Sequence, residues 1–413
     1  MFDFLSNNSL LSPNQFGFRA GLSVSDQLLV TYEYVSEHVD SGMAVDVLYF
    51  DYSKAFDVVN HRLLLTKLSL IGISDPLLGW LCDFLTDRTM KVVVHNSESH
   101  VVTVSSGVPQ GSVVGPLLFL IYINSVIAGL TSKCVLFADD LKLYLALPIS
   151  KVAGLGCSAI LQNDVFILHQ RSQSWGLSFS VNKCARIHFS RYSNDPIFDY
   201  FIGDRPIPNK NSFRDLGILV DSSLKFHLHI NEVCSKANRI ANYILRGTIC
   251  RSSDFMIQVF ITHIRPIIDF GSVVWNTGYI GDLRMLEQVQ RRWTKKINGF
   301  ANFSYSDRLS RLNLYSIKGR LLRADLIQVW KIMDGKCPHL SHLFERVVHG
   351  RTRGHTKKIF VPRHSTDVRS RFFSLRIVEL WNSLPEEIVS AESIQSFKRL
   401  LEIFLGPRLF EFC

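Results

Sequence analysis

Cys134-Val135-Leu136-Phe137-Ala138-Asp139-Asp140-Leu141-Lys142-Leu143-Tyr144 is the stretch on which the reading of this chain turns. Two adjacent carboxylates interrupt an otherwise apolar run, and strand-forming residues flank them on both sides. That pattern predicts a β-hairpin with Ala138, Asp139 and Asp140 at the turn. Carboxylates left unpaired in such a setting carry a desolvation cost, so a positive partner is expected there. A divalent metal is the natural candidate, although an ordinary Asp-rich turn would leave the same local pattern.

Upstream, Val45-Asp46-Val47-Leu48-Tyr49-Phe50-Asp51-Tyr52 reads as a buried strand followed by a turn toward a helix near His61. Side-chain alternation puts Asp51 on the face of Tyr49 and Val47, near the end of the strand. Asp51 is therefore the expected third carboxylate for the Asp139/Asp140 turn. Asp57 lies beyond the strand and reads as a capping or turn residue. A helix through Leu63–Leu68 ends near Gly72, and Ser74-Asp75-Pro76 opens another, with Leu77, Trp80, Leu81 and Phe84 expected to face inward. Met90–Val94 and His100–Val104 form a predicted hairpin, which leads into the Gly/Pro-punctuated loop Ser106–Pro116 and an apolar helix, Leu117–Ala128. Glycines in that loop allow close approach of backbone to a ligand, and Gln110 offers both a donor and an acceptor.

Ahead of all this, Asn14-Gln15-Phe16-Gly17-Phe18-Arg19 is a turn-rich loop with two aromatics and one cation. Ser25 and Asp26 then open a helix with Leu28, Tyr32, Val35 and Val39 along one face. Past the Asp pair, helix is expected over 159–175, a strand over Ala185–Phe189, a strand and turn over Phe213–Asp221, and a helix to about Leu245. From Leu283 helices dominate: Leu286, Val289 and Trp293 make one stripe, and Arg291, Arg292, Lys295 and Lys296 load the other side.

A chain of 413 residues with 47% hydrophobic content is expected to bury more than one core. Its net charge of +10 is regional: residues 1–280 hold 22 Lys/Arg against 23 Asp/Glu, and residues 281–413 hold 24 against 13. An excess of that kind suits a polyanion, nucleic acid before membrane. The most apolar run, Val113–Ile123, is short and contains Gly115 and Pro116, so no membrane span is expected, and Met1–Leu5 lacks the form of a secretory signal. An intracellular compartment is the expectation. Eight cysteines without a CxxC pair argue against a disulfide framework and a zinc ribbon, and Cys337-Pro338-His339 with His342 has no second ligand pair at suitable spacing.

Taken in order, these motifs resemble the reverse transcriptases of non-LTR (LINE-type, jockey-like) retrotransposons. Asn14–Arg19 resembles the family's fingers motif, Phe50-Asp51-Tyr52-Ser53-Lys54-Ala55-Phe56-Asp57 motif A, and Gly107-Val108-Pro109-Gln110-Gly111-Ser112 motif B. Phe137-Ala138-Asp139-Asp140 matches motif C, and Trp175-Gly176-Leu177 with Asn182-Lys183 is similar to motif D. Leu216-Gly217, Asp221 and His229-Ile230 resemble motif E and the start of the thumb, and Trp381-Asn382-Ser383-Leu384-Pro385 a tail common in these elements. Any one of these is weak, and six in order are specific.

The resemblance implies an α/β (α+β) right-hand polymerase: partial fingers over 1–44, a palm with an antiparallel sheet over 45–200, motif E and a helical thumb over 201–300, and a basic helical C-terminal region over 301–413. It implies nucleotide addition by RNA-directed DNA polymerisation with two divalent ions, Mg²⁺ with Mn²⁺ as a substitute, for which hard carboxylate ligands suit. Asp51 and Asp139 would bridge the ions, with Asp140 auxiliary and the Tyr52 carbonyl completing the nucleotide side. Phe56 takes the position of the steric gate, Gln110 that of the contact to nucleotide and template, Lys183 that of a proton donor to pyrophosphate, and Arg19 that of a triphosphate or template contact. The implied partners are an RNA template, a DNA primer or target and dNTPs, with endonuclease activity supplied by another element-encoded protein. Because most of the family's fingers would precede the Gln15 loop, reduced activity is expected, and a non-catalytic nucleic-acid-binding remnant is the alternative. An RNA-directed RNA polymerase is a further one, opposed by Phe56.

Overall fold

The computed structural model describes residues 1–148, 150–192, 195–347 and 354–412. The chain divides into two units: Met1–Gln27 with Gly42–Asn211, and Leu28–Ser41 with Ser212–Cys413.

The first unit is built on a four-stranded antiparallel sheet of Ala44–Phe50 (β1), Lys133–Phe137 (β2), Asp140–Leu147 (β3) and Ala185–Phe189 (β4), in the order β2-β3-β1-β4. β1 is central and buried along its length, as an apolar run with two covered faces requires. Its register pairs Leu48 with Leu143 and Phe50 with Leu141 on one side, and Val47 with Ile187 on the other. Leu48, Phe50, Leu141 and Leu143 share one core with Leu118 and Phe119 of the helix Gly115–Ile123 and Leu161, Val165 and Leu168 of the helix Lys151–Ser174. Helices therefore back one face of the sheet. Asp46 is buried on β1 and accepts from the Tyr200 hydroxyl at 2.7 Å, with His188 Nδ1 also at 2.7 Å.

The Lys151–Ser174 helix begins earlier than the sequence suggests. Its Val152–Ser174 portion is, among the described residues, long and apolar enough to cross a membrane by length and composition. Its Leu161, Val165 and Leu168 are buried in the core of this unit. A second difference lies in the helix Leu77–Leu85, where Leu81 and Leu85 are buried but Leu77 and Trp80 are exposed. Nearly every position there is apolar, so the sequence leaves the inward face ambiguous, and Trp80 stacks instead on Phe84 of its own helix, 5.3 Å between ring centres. The expected hairpin forms, Arg88–Met90 pairing with Val102–Val104 and Val93–Val94 with Ser97–Glu98.

The second unit is mostly helical. The hairpin Ser212–Asp215/Ile218–Asp221 leads into the helix His227–Gly247, through a turn in which Asp221 accepts from the N–H groups of Ser223 (2.9 Å) and Phe226 (3.2 Å). The helices Ile280–Thr294, Ile317–Met333 and Ile394–Leu405 follow. Leu286, Val289 and Trp293 are buried as the stripe predicted, and Arg292, Lys295 and Lys296 are exposed. The basic excess of the last third is not all surface charge. Arg369 is buried against Glu33 at 2.6 Å, and Arg376 meets the buried Asp325 at 2.7 Å.

The Trp381–Pro385 tail motif is structural. The Trp381 indole is fully buried and donates to the Lys357 carbonyl at 2.9 Å. Asn382 accepts from the Ile359 N–H at 2.9 Å and donates to the Ile359 carbonyl at 2.8 Å, holding that segment as a neighbouring strand would. Asn382→Ala leaves both groups of the buried Ile359 without these partners. We expect it to cost about 2 kcal/mol in urea unfolding; an unchanged midpoint would show that the tethers are dispensable.

Candidate active site

The turn of the β2–β3 hairpin is two residues long, since Phe137 pairs with Asp140, and Ala138 takes φ +57°. Asp140 opens β3, and the β1–β3 register ends on Phe50 opposite Leu141. One further step sets Asp51 opposite Asp140, on the same face of the sheet. Asp51, Asp139 and Asp140 thus lie at one end of the sheet, and Asp51 and Asp139 are close enough to repel.

Asp51 is held there by its own backbone. Ser53 N–H donates to the Ser178 carbonyl and Ser180 N–H to the Asp51 carbonyl, each at 2.8 Å, so Tyr52 sits opposite Phe179 in a short antiparallel bridge. In that arrangement the N–H and C=O of Tyr52 point away from Phe179. Its side chain stays inside, with the ring stacked on Phe179 at 4.5 Å and the hydroxyl 2.8 Å from Ser172 Oγ.

The electrostatics are those of an incompletely compensated cluster. Burial holds the Asp139 carboxyl above the ordinary aspartate range; the Asp51 charge adds to the rise, while its own backbone N–H and Lys183 oppose it. Lys183 Nζ lies 3.3 Å from Asp51 Oδ1, with the lysine side chain 67% exposed and the aspartate 31%. That contact is an ion pair without hydrogen-bond geometry, and Asp51 Oδ1 is otherwise a buried oxygen with no hydrogen-bond partner. An exposed lysine screens such charge weakly. A buried orphan oxygen beside two further carboxylates, with no sulfur or imidazole donor in the set, fits a hard divalent cation such as Mg²⁺.

Phe56 and Gln110 lie on a second, connected element. The Phe56 ring stacks on Phe119 at 4.1 Å and meets Phe18 edge-on at 6.2 Å. The loop that carries Gln110 is tied to the turn after Asp51: Val108 N–H donates to the Phe56 carbonyl at 2.9 Å and Gly107 N–H to the Val59 carbonyl at 2.8 Å. The Gly107 carbonyl in turn accepts from His61 Nε2 at 2.8 Å and from Arg88 at 2.9 Å. Gln110 Nε2 donates to Asp57 Oδ1 at 2.8 Å, so Asp57 is a tether to Gln110 rather than only a turn residue. Arg19 stands apart in chemistry, its guanidinium donating to the carbonyls of Ser12 (2.8 Å) and Gln15 (3.2 Å).

Sequence reasoning names Lys183, which lies 3.3 Å from Asp51, but not the tie between Asp57 and Gln110. It missed Gln15, which is buried against the Ala138 turn. Its only signal was a polar side chain leading into an aromatic-Gly-aromatic run. In the other unit, the predicted motif E residues Gly217 and His229 line a cavity of about 960 Å³ with Arg214, Lys236, Arg239 and Phe270. His229 is buried, accepts from the Leu219 N–H at 3.2 Å, and has its pKa lowered to about 4 by desolvation.

A family model described as reverse transcriptase (RNA-dependent DNA polymerase) matches residues 2–220. The chain is 26% identical over 296 residues to a probable RNA-directed DNA polymerase from transposon X-element of Drosophila melanogaster, covering 69% of this chain and 32% of that protein. It is 25% identical over 296 residues to the RNA-directed DNA polymerase from mobile element jockey of Drosophila funebris, with 69% of this chain and 32% of that protein covered. The chain thus spans about a third of the length of these curated relatives. A telomerase structure from Candida albicans aligns at TM-score 0.43 and 12% identity, over 82% of this chain and 54% of that one.

The raised Asp139 pKa fixes a pH dependence. The folded chain keeps the Asp139 proton to higher pH than the unfolded chain, so stability falls as pH rises through that window and the cost is complete above the raised value. In EDTA, Asp139→Asn is expected to unfold at higher temperature than the parent at neutral pH. The gain should vanish below the ordinary aspartate value of about 4. Equal melting temperatures at neutral pH would refute the buried-charge account.

Proposed function

Because the chain belongs to the reverse transcriptase (RNA-dependent DNA polymerase) family, whose model matches it over residues 2–220, we propose that it extends a primer 3′-hydroxyl with dNTPs on an RNA template. The observation that carries this reading is the strand register that brings Asp51 beside the Asp139/Asp140 turn. Family membership implies a divalent metal, and the orphan Asp51 oxygen within an all-carboxylate donor set fits one. In this reading Asp51 and Asp139 hold Mg²⁺ or Mn²⁺, with Asp140 auxiliary and the Tyr52 carbonyl available because it points away from Phe179. The ions, when bound, sharpen the primer hydroxyl and neutralise the leaving pyrophosphate.

The remaining work falls to the chain's own side chains. The Phe56 ring, braced by Phe119, stands against the sugar C2′ and excludes a 2′-hydroxyl. Gln110, held by Asp57, contacts the incoming nucleotide and template. Lys183, already beside Asp51, is placed to give a proton to the pyrophosphate as it departs. Arg19 shapes its own loop through the Ser12 and Gln15 carbonyls and reaches triphosphate or template through its remaining N–H groups. We assign residues 1–44 to partial fingers, 45–200 to the palm, 201–300 to motif E and thumb, and 301–413 to the basic C-terminal region. The exposed Arg292, Lys295 and Lys296 support nucleic-acid contact from the helical part of the chain. Free thiols at Cys82, Cys134, Cys157, Cys184, Cys234, Cys250 and Cys337 favour an intracellular setting.

Two measurements test this. Primer extension on an RNA template with dNTPs and Mg²⁺ should proceed with the parent and fall by about a thousandfold or more in Asp139→Ala/Asp140→Ala, as loss of several kcal/mol of charge stabilisation requires. No extension by a folded, RNA-binding parent would leave a binding remnant as the better reading. Phe56→Val should raise ribonucleotide incorporation relative to deoxynucleotide by about tenfold or more, the scale of one steric contact. An unchanged ratio would remove Phe56 from sugar selection.

A further inference from the structure

Gln15 is 2% exposed and lies in the first segment of the chain, far in sequence from the carboxylates. Its side-chain amide nevertheless makes both hydrogen bonds that a neighbouring strand would make to Ala138. Oε1 accepts from the Ala138 N–H at 2.9 Å, and Nε2 donates to the Ala138 carbonyl at 3.1 Å. Oε1 also accepts from the Gly17 N–H at 2.8 Å, which fixes the amide's orientation. The backbone on either side continues the same contact: Leu136 N–H donates to the Asn14 carbonyl and Phe16 N–H to the Leu136 carbonyl, each at 2.8 Å. Gly17 lies so close that a Cβ there would stand 2.3 Å from the Ala138 nitrogen.

Ala138 needs this support. Its φ of +57° is costly for a residue with a Cβ, on the order of 1–2 kcal/mol. The turn has only two residues, so rotation of the Ala138 peptides would carry Asp139 with it and change its place relative to Asp51. Gln15 opposes it by occupying both polar groups of the residue about which the turn would rotate.

We propose that Gln15 is a positioning residue that locks the Ala138–Asp139 turn, and so sets the spacing of the Asp51, Asp139 and Asp140 carboxylates for divalent-metal binding. The inference rests on the polymerase reading for its consequence in catalysis, but not for its consequence in metal affinity. Gln15→Met preserves length and removes both hydrogen bonds. Gln15→Glu keeps the acceptor and loses the donor to the Ala138 carbonyl.

The test is Mn²⁺ titration followed by electron paramagnetic resonance, with amide exchange at Ala138 and Asp139 and primer-extension kinetics on the same full-length proteins. Gln15→Met should weaken Mn²⁺ binding by about tenfold or more, the usual scale for loss of an outer-shell support. Exchange should rise at Ala138 and Asp139 but not along β1, and kcat should fall with the dNTP KM little changed. Gln15→Glu should lie between parent and Met. Parent-like Mn²⁺ affinity and turn exchange in both variants would overturn the proposal. So would a loss of protection spread evenly over the sheet, which would mark Gln15 as a general packing residue. If the parent itself extends no primer while the Mn²⁺ and exchange effects appear, the polymerase reading fails and the lock stands.

Discussion

The constraint on which the rest depends is the repulsion between Asp51 and Asp139, two carboxylates that the sheet brings together beside Asp140. Asp51 follows β1, Asp140 opens β3, and Asp139 sits with Ala138 in the two-residue turn that joins β2 to β3, so the register sets all three at one end of the sheet. Their repulsion opposes folding of this end of the sheet. What offsets it is on the opposite side of the same strands, where Leu48, Phe50, Leu141 and Leu143 pack against the helices Gly115–Ile123 and Lys151–Ser174. A one-residue slip of β3 against β1 would exchange those leucines for Lys142 and Tyr144, so the apolar face fixes the register and the register fixes the carboxylates.

Around that end the chain is tied by hydrogen bonds between segments distant in sequence. Ser178 and Ser180 hold the backbone at Asp51 and Ser53, Gln15 holds Ala138, and Asp57 holds Gln110. Each tether joins a residue bearing site chemistry to one that bears none. Such an arrangement lets the polar groups of several short turns be satisfied without drawing on the carboxylate oxygens, and Asp51 Oδ1 is left with only the Lys183 ion pair.

How much of this could be read from the chain follows from the range of the interactions. The hairpin at Asp139 was legible because apolar alternation broken by two acids is a local signal, and Asp51 was legible because strand alternation is local too. The helical stripe Leu286, Val289, Trp293 was clear because polar residues fill the other faces of its helix. Leu77 and Trp80 misled because their helix is apolar nearly all round, so one stripe cannot be told from its neighbour 100° away. The roles of Gln15 and Asp57 could not be read at all. Each depends on a partner more than fifty positions away, which only the folded register supplies. Composition misled in one further respect, since Arg369 and Arg376 count toward the basic last third yet are spent inside on Glu33 and Asp325.

The same tethers couple the proposed metal ligands to the proposed sugar contact. Phe56 follows Asp51 by five residues through a turn whose carbonyls at Phe56 and Val59 accept from Val108 and Gly107. Gly107 takes φ +87°, and a Cβ there would lie 2.8 Å from the Asp57 carbonyl oxygen, so only glycine lets the two loops close to this distance. His61 and Arg88 then converge on the Gly107 carbonyl from outside the loop. The element that carries Gln110 is thus keyed to the one that carries Phe56, and that one is continuous with Asp51. A displacement of either loop would be felt at the carboxylates through five residues of backbone, which makes the Gly107 contact a structural link between the proposed nucleotide-selecting residues and the proposed metal ligands.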